Sequence, residues 1–220
     1  MIKAYGLDIP RTLEDLCDPR RMALLVYDMQ VGILSQIKNG AEITARVLKV
    51  LRAARESGIR VIFSRHMSMP KDLMGVFQMR MAMAWQRVET AEEVKPWFIR
   101  DTPGFQLIPE LSPRPTEAIF DKITMSAFEG TPLNIVLRDC GVNAFTIVGV
   151  AMEVGIEPTA ADLGYIPVIV RDACGAATRK RRSVRRPASN TLVTLCSQTS
   201  KQSAMYSPDG GSTKKHRGAG

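Results

Sequence analysis

Residues 144–158, AFTIVGVAMEVGIEP, decide the fold of this chain. Their first part, residues 145–150, is an apolar, β-branched run without polar alternation, which is typical of a parallel strand buried on both faces. Small residues then form a turn, and a helix is predicted to follow. In sheets of this kind the chemistry lies at the carboxyl ends of the strands, where a helix N-terminus faces a crevice. We therefore expect a functional site at this turn.

The rest of the chain repeats this pattern of buried strand and helix. Strands are predicted at residues 22–27, 60–64, 117–123, 145–150 and 165–172. Helices are predicted at residues 41–57, 131–140 and 157–163, the second of them capped by Thr131. Because strand, amphipathic helix and strand follow one another early in the chain, we expect parallel strands joined by right-handed crossovers. The chain is therefore predicted to be an α/β protein.

Length and composition predict one globular domain. The chain has 220 residues, 45% of them hydrophobic, which is enough for a sizeable core. No apolar run approaches the roughly 20 residues of a membrane span, and the start MIKAYGLDIP lacks a signal-peptide core. Four cysteines without C-x-x-C spacing fit free thiols in a reducing compartment. We therefore expect a cytoplasmic protein without a membrane partner.

The net charge of +8 belongs to the C-terminal part of the chain. Residues 178–220 hold ten of the 30 Lys and Arg but a single acid, Asp209, whereas residues 1–177 are close to neutral. A local basic run is usually solvated, so nucleic acid is not the expected partner, although polyanion binding by this part remains an alternative. Few apolar residues are present there to offset ordering entropy. We predict a folded domain at residues 1–177 and a basic, disordered tail at residues 178–220.

Residues 65–115 interrupt the alternation of strands and helices and are interpreted as a lid or insertion. They contain six methionines and two tryptophans, which supply adaptable apolar surface over a small substrate. Gln78 and Arg87, within this segment, are predicted to contact the substrate. Packing of the same segment on its own subunit or on a dimer partner is the alternative.

Two charged residues stand at the carboxyl ends of predicted strands. Asp28 follows the first strand in VYDMQ, with Gln30 two residues later, although a helix cap or a turn would also explain an Asp here. Lys122 lies near the end of the third strand. Because a lysine is seldom fully buried unless it is paired, it suggests a carboxylate neighbour. Both residues belong to the same edge of the sheet, so we expect them to converge.

Four motifs in this order, VYDMQ, FDKITMSAF, VGVAMEVGIEPTA and GYIPVIVRDACGA, resemble the isochorismatase-like hydrolase superfamily, also called the cysteine hydrolases. The resemblance covers residues 20–177. It implies a three-layer α/β/α sandwich with a doubly wound, Rossmann-like, mostly parallel sheet of six strands. It also implies that the protein is a hydrolase with a small-molecule substrate. A homo-oligomer is the implied assembly.

The resemblance assigns Asp28 and Lys122 as catalytic residues and places Gly155 where most members have a nucleophilic cysteine. It further implies a non-proline cis peptide between Val150 and Ala151. The remaining predicted substrate-binding residues are Gln30, Gln78, Arg87, Phe128, Ala151 and Met152.

Metal-binding relatives differ from this chain in their histidines. The zinc-binding nicotinamidases have an Asp and two His after the second strand, a pattern that the lone His66 does not reproduce. The other histidine, His216, is far away in the sequence. We therefore predict no metal and no cofactor.

The glycine at position 155 decides between reactions. Glycine has no side chain to attack a carbonyl, and neither Cys140 nor Cys174 is an obvious substitute, so thioester-forming amidase chemistry is disfavoured. Relatives without the cysteine include the isochorismatases, which open a vinyl ether by protonation and addition of water. We expect Asp28 to be the acid and open space at Gly155 to hold the water. A catalytically impaired subunit for binding or assembly, and an amide hydrolase, are the alternatives.

Overall fold

A central sheet covered by helices forms the body of residues 1–177, which are the residues that the computed structural model describes. The strands are β1 (Ile2–Ala4), β2 (Leu7–Ile9), β3 (Met22–Tyr27), β4 (Arg60–His66), β5 (Ala118–Lys122), β6 (Ala144–Val150) and β7 (Ile166–Gly175). The α-helices are α1 (Leu13–Leu16), α2 (Val31–Leu34), α3 (Gly40–Glu56), α4 (Val76–Gln86), α5 (Leu133–Asp139) and α6 (Glu157–Asp162).

The sheet is doubly wound. Strands β1 and β2 form a separate antiparallel hairpin, and the other five strands are all parallel in the order β5-β4-β3-β6-β7. The chain thus runs outward from β3 to β5, returns to the far side of β3 and continues to β7. The order reverses between β3 and β6, and crevices at such switch points are where open α/β sheets bind ligands. The predicted α/β fold with parallel strands is confirmed.

Side chains of β3 alternate between two apolar layers, which explains the sandwich. Leu24 and Val26 pack in the layer that contains α3, whereas Leu25 and Tyr27 pack in the layer that contains α5 and α6. All six residues of β3 are buried, as a central strand covered by helices on both faces requires. The three-layer arrangement predicted from the resemblance is therefore confirmed, and Tyr27 points toward the α6 side.

Some boundaries differ from the sequence-based expectations. Helix α5 begins at Leu133 with Pro132 at its cap, so the prediction of Thr131 as the cap is wrong. The Thr131 hydroxyl instead accepts a hydrogen bond from the Leu133 N–H at 3.2 Å and donates to the Ala127 carbonyl at 2.6 Å. Strand β7 extends to Gly175, beyond its predicted end. The sixth strand and the predicted disordered tail concern residues 178–220, which lie outside the described residues.

The segment between β4 and β5 is built from α4 and several short 3₁₀ turns.

Gly149 of β6 lets this strand approach β3 closely. It has φ +123°, and a Cβ there would lie 2.9 Å from the Tyr27 nitrogen and overlap the Tyr27 carbonyl. Among residues 1–177, no helix combines the length and the apolar character that crossing a membrane requires.

A partly buried ion pair ties α3 to the start of β5 and gives a testable pH dependence. Arg55 donates to both carboxylate oxygens of Glu117, at 2.7 Å each. Burial raises the pKa of Glu117, but hydrogen bonds from Arg55 and from the Arg114 N–H outweigh it and leave the pKa below its ordinary value. A lowered carboxyl pKa stabilises the fold above the unfolded-state pKa, and this contribution is lost as the pH falls through the folded-state value.

Glu117→Gln is therefore expected to lower the free energy of unfolding at pH 7 by about 1–2 kcal/mol and to have less effect at pH 3. Urea denaturation at both pH values measures the difference. Glu110→Gln is the matched control, because Glu110 forms no salt bridge with another described residue. An equal effect of Glu117→Gln at both pH values would contradict the ion-pair explanation.

Candidate functional site

A cavity of about 390 Å³ opens at the carboxyl ends of four neighbouring strands. Its wall contains the last residue of β4, His66, the last residue of β5, Lys122, and the last residue of β6, Val150. From the end of β3 it receives Tyr27 and the following residue, Asp28. The volume suits a small molecule. The switch point between β3 and β6 thus contains a concave site, as the turn after residue 150 predicted.

Asp28 and Lys122 meet in the wall of this cavity. The Lys122 Nζ lies 2.7 Å from the Asp28 Oδ2, and only 1% and 6% of the two side chains, respectively, is exposed. Ser64, from the intervening strand β4, donates its hydroxyl proton to the Asp28 Oδ1 at 2.7 Å. Both carboxylate oxygens therefore accept hydrogen bonds. The predicted convergence of Asp28 and Lys122 is confirmed, while their catalytic role stays a prediction.

The backbone at Asp28 turns the carboxylate toward Lys122. Asp28 has φ +47°, in the left-handed region that non-glycine residues seldom adopt. Its N–H donates to the Ser64 carbonyl at 3.2 Å, which continues the pairing of β3 with β4 for one residue. Backbone conformations of this kind persist where the surrounding structure holds them and are frequent at functional sites.

The Lys122 ammonium is held by three groups. Besides Asp28, it donates to the Thr124 carbonyl at 3.2 Å and lies 4.3 Å from the centre of the Tyr27 ring. Burial lowers the pKa of Lys122, against the opposing effect of Asp28. Burial thus works against the charged form of Lys122, whereas the carboxylate of Asp28 works in favour of it.

The turn after β6 has the backbone geometry that the resemblance implies. The Val150–Ala151 peptide is cis, and Met152–Ile156 form a π-helical turn before α6. The N–H groups of Gly155 and Ile156 both donate to the Ala151 carbonyl, at 3.0 and 3.2 Å. These two amides are thus already used within the turn.

The expectation of open space at Gly155 is wrong. A Cβ at Gly155 would overlap the hydroxyl and the ring of Tyr27, which is 2% exposed. The hydroxyl donates to the Met125 carbonyl. Burial, and secondarily the charge of Asp28, raises the pKa of Tyr27 well above its ordinary value, so the phenol is neutral. The Tyr27 phenol therefore occupies the space that a side chain at position 155 would need.

The structure separates the predicted substrate-binding residues into two groups. Arg87 and Ala151 line the cavity, as does the backbone of Gly155. Arg87 is exposed, and it forms no salt bridge with another residue of the described part. A guanidinium in this position is available to a carboxylate ligand.

Gln30 lies outside the wall of the cavity and binds the backbone instead. Its Oε1 accepts from the His66 N–H at 2.6 Å, and its Nε2 donates to the carbonyls of His66 and Phe105 at 3.0 and 2.8 Å. The side chain is completely buried. Its amide therefore holds the end of β4 in place.

Three further predicted contacts also lie outside this wall. Gln78 lines a neighbouring chamber of about 30 Å³ and donates to the Met67 carbonyl at 3.4 Å. Phe128 stacks on Tyr165 with ring centres 5.5 Å apart, in the apolar layer against which Met152 also packs. The positions of Phe128 and Met152 are those of core residues.

Ser64, His66 and Tyr27 belong to the site although their roles were not predicted. All three are polar residues at the carboxyl ends of buried strands, which is the signal that could have found them. His66 is 8% exposed and its ring lies edge-on to Phe98 at 6.0 Å. Burial, reinforced by the charge of Lys122, lowers the pKa of His66 to about 4.

This shift predicts a loss of stability in weak acid. Between the folded-state pKa of about 4 and the ordinary value of 6.5, the unfolded chain binds a proton that the folded chain does not. Lowering the pH from 7 to 5 should therefore cost the wild type about 2 kcal/mol more than His66→Phe. Urea denaturation of both proteins at each pH measures this difference in the free energy of unfolding. Titration of His216 does not affect the comparison, because both proteins contain this residue. Parallel pH dependence of the two proteins would contradict a neutral buried imidazole.

No group of three or more His, Cys, Asp or Glu within residues 1–177 is placed to hold a metal ion.

Comparisons with known proteins agree on one family. The isochorismatase domain model matches residues 22–197. The ureidoacrylate amidohydrolases RutB of Pantoea ananatis and Pseudomonas syringae pv. syringae are 27% and 28% identical to this chain. The first alignment covers 70% of this chain and 69% of the relative, and the second covers 76% and 80%.

Solved structures show the same fold. A cysteine hydrolase from Pseudomonas syringae pv. phaseolicola has a TM-score of 0.60 and 29% identity, over 73% of this chain and 75% of that one. An N-carbamoylsarcosine amidase from Thermoplasma acidophilum has a TM-score of 0.59 over 71% and 84% of the two chains. At 23% identity, the second likeness concerns the fold alone.

Proposed function

The chain belongs to the isochorismatase family of hydrolases, and on that premise we propose that it hydrolyses a small carboxylated substrate without a covalent intermediate. The observation that carries the proposal is the Tyr27 phenol in the side-chain space of Gly155, directly beside the Asp28–Lys122 pair. The Asp28–Lys122 pair is present, whereas the neutral Tyr27 phenol fills the space in which a nucleophilic thiol is expected from the resemblance. Since no cysteine of residues 1–177 lines the cavity, we take water as the nucleophile.

Vinyl-ether hydrolysis is the reaction that this arrangement supports best. Opening a vinyl ether requires a proton on the terminal methylene carbon, and Lys122, whose pKa burial lowers, supplies it through Asp28. Water then adds to the oxocarbenium carbon and returns a proton to the pair. In the resulting hemiketal the hydroxyl loses its proton and the bond from carbon to the ether oxygen breaks. The leaving oxygen takes up a proton, which gives an alcohol and a ketone. No side chain needs to form a bond to the substrate.

The cavity wall supports binding of a carboxylated substrate. The Arg87 guanidinium is a donor for a carboxylate, and the Lys122 ammonium adds positive charge deeper in the cavity. Trp85, Trp97 and Phe98 supply an apolar wall on the side of the segment between β4 and β5. Such a wall strengthens the electrostatic interactions inside by excluding water.

Amide hydrolysis is the second candidate, and the names of the two curated relatives favour it. In that reaction Asp28, as an acceptor of two hydrogen bonds, would take a proton from water that attacks the carbonyl carbon. The leaving nitrogen would receive the proton. Without a thiol, this reaction passes through a tetrahedral water adduct and forms no covalent bond to the enzyme, so it fits the same site.

Product analysis distinguishes the two reactions. Wild-type protein is assayed for pyruvate release from isochorismate and for ammonia release from ureidoacrylate, before and after alkylation with iodoacetamide. We expect turnover of isochorismate, with pyruvate as a product, and no loss after alkylation. Ammonia release resistant to alkylation would favour the second candidate. Activity that alkylation abolishes, or turnover of neither substrate, would contradict hydrolysis without a thiol.

A further inference from the structure

His66 is a buried titratable residue that the proposed reaction does not use. It ends β4 and lines the cavity between the ends of β3 and β5, where Lys122 is its register partner on β5. Within residues 1–177, neither ring nitrogen forms a hydrogen bond with the protein, and neither is fully enclosed by protein atoms. A buried polar side chain normally has a partner. The partner of this imidazole is therefore expected to be a ligand in the cavity.

The charges around His66 determine what kind of ligand group it can bind. Lys122 ends and Asp28 follows the strands on either side of it, Arg87 also lines the cavity, and Tyr27 contributes a neutral phenol. The positive charge of Lys122 and the burial both disfavour a protonated imidazole, whose pKa is lowered to about 4. A neutral imidazole carries one N–H donor and one nitrogen acceptor. It suits an uncharged group, whereas Lys122 and Arg87 suit an anion.

We infer that His66 is a substrate-binding residue that selects a carboxylated ligand that also carries a hydroxyl group. The carboxylate is bound by Lys122 and Arg87, and the hydroxyl exchanges a hydrogen bond with the imidazole. The inference deepens the proposed function, because it takes the small carboxylated substrate from it. The site rejects an analogue that lacks the hydroxyl, since the imidazole would then stay without a partner.

The protein holds His66 in place from both sides. Gln30 clamps its backbone through the N–H and the carbonyl, at 2.6 and 3.0 Å. Phe98 supports its ring edge-on at 6.0 Å. The Gln30 side chain is completely buried and fixes the end of β4. Gln30 is therefore a positioning residue for His66. The predicted role of Gln30 in substrate binding is replaced by an indirect one.

Matched ligands and matched variants test the inference by binding alone, without turnover. The probes are benzoate and its 3- and 4-hydroxy derivatives, whose ring suits the aromatic wall of the cavity. Affinity is measured by calorimetry for the wild type, for His66→Phe and for Gln36→Ala. His66→Phe keeps an aromatic ring against Phe98 but removes both ring nitrogens. Gln36 also lines the cavity, but its amide donates to the Gly32 carbonyl at 2.7 Å.

In the wild type, we expect the better hydroxybenzoate to bind about three to ten times more tightly than benzoate. This preference should disappear in His66→Phe and persist in Gln36→Ala, with benzoate affinity similar in all three proteins. A preference that survives in His66→Phe would overturn the inference. So would an equal loss of both ligands, or no preference in the wild type. If the hydroxyl preference holds but no substrate is hydrolysed, the proposed reaction fails and the binding role of His66 stands.

Discussion

Asp28→Asn and Lys122→Met are each expected to lower hydrolysis by about 10²–10⁴-fold, the range typical for loss of a proton-transferring group. The two residues are joined at 2.7 Å and are proposed to move one proton between them. The double variant should therefore lose little more activity than the worse single variant, because residues that act as one unit are not additive. Turnover of isochorismate with saturating substrate measures all three. Additive losses would contradict a shared proton.

The same variants are expected to differ in stability. Lys122→Met leaves the Asp28 carboxylate buried without a cation, which should cost about 3–5 kcal/mol. Asp28→Asn should cost less, because burial already lowers the pKa of Lys122 and the lysine can lose its proton. The double variant should then be more stable than Lys122→Met alone. Urea denaturation tests this order, with Lys49→Met, a change at an exposed lysine of α3, as the control. Equal stability of all these variants would contradict a buried pair.

The convergence of Asp28 and Lys122 was predictable because it depends only on the direction of the strands. Parallel strands of a sheet end at the same edge, so residues that follow or end such strands meet there wherever they lie in the sequence. Apolar runs fixed the strands to within a few residues. What they could not show is that β4 lies between the two strands. The contribution of Ser64 to Asp28 depends on that order.

The filling of the Gly155 space was not predicted because it depends on which face of β3 each side chain occupies. Tyr27 and Gly155 are far apart in sequence, and their contact requires Tyr27 to point toward α6. A signal was nevertheless present. Tyr27, a large aromatic residue, ends β3, and a glycine, Gly155, stands at the position that the resemblance assigns to the nucleophile. In a close-packed interior a large and a small residue are often neighbours. Gln30 was misjudged for a related reason, since a polar residue near a site can serve the backbone as well as the ligand.

The contact between Tyr27 and Gly155 leads to the second large expected effect. Gly155→Cys should lower the free energy of unfolding by about 2–3 kcal/mol, as overpacking of a well-filled interior does. It should not create thiol-dependent hydrolysis, because the Tyr27 ring leaves no room for the sulfur. Gly164→Cys is the matched control, since a Cβ at Gly164 would meet no other atom within 4 Å. Urea denaturation of the two variants measures the difference.

Removing the obstructing ring should reverse the penalty. Tyr27→Val alone should destabilise by about 3 kcal/mol through the cavity that it leaves. Combined with Gly155→Cys, the introduced side chain fills part of that cavity, so the double variant should be more stable than the sum of the single effects by at least about 1 kcal/mol. The introduced thiol should also react with iodoacetamide at a rate that depends on Lys122, whose cation favours the thiolate. Strictly additive stabilities would mean that Tyr27 does not occupy the space of the nucleophile, and the case for hydrolysis by water alone would lose its structural basis.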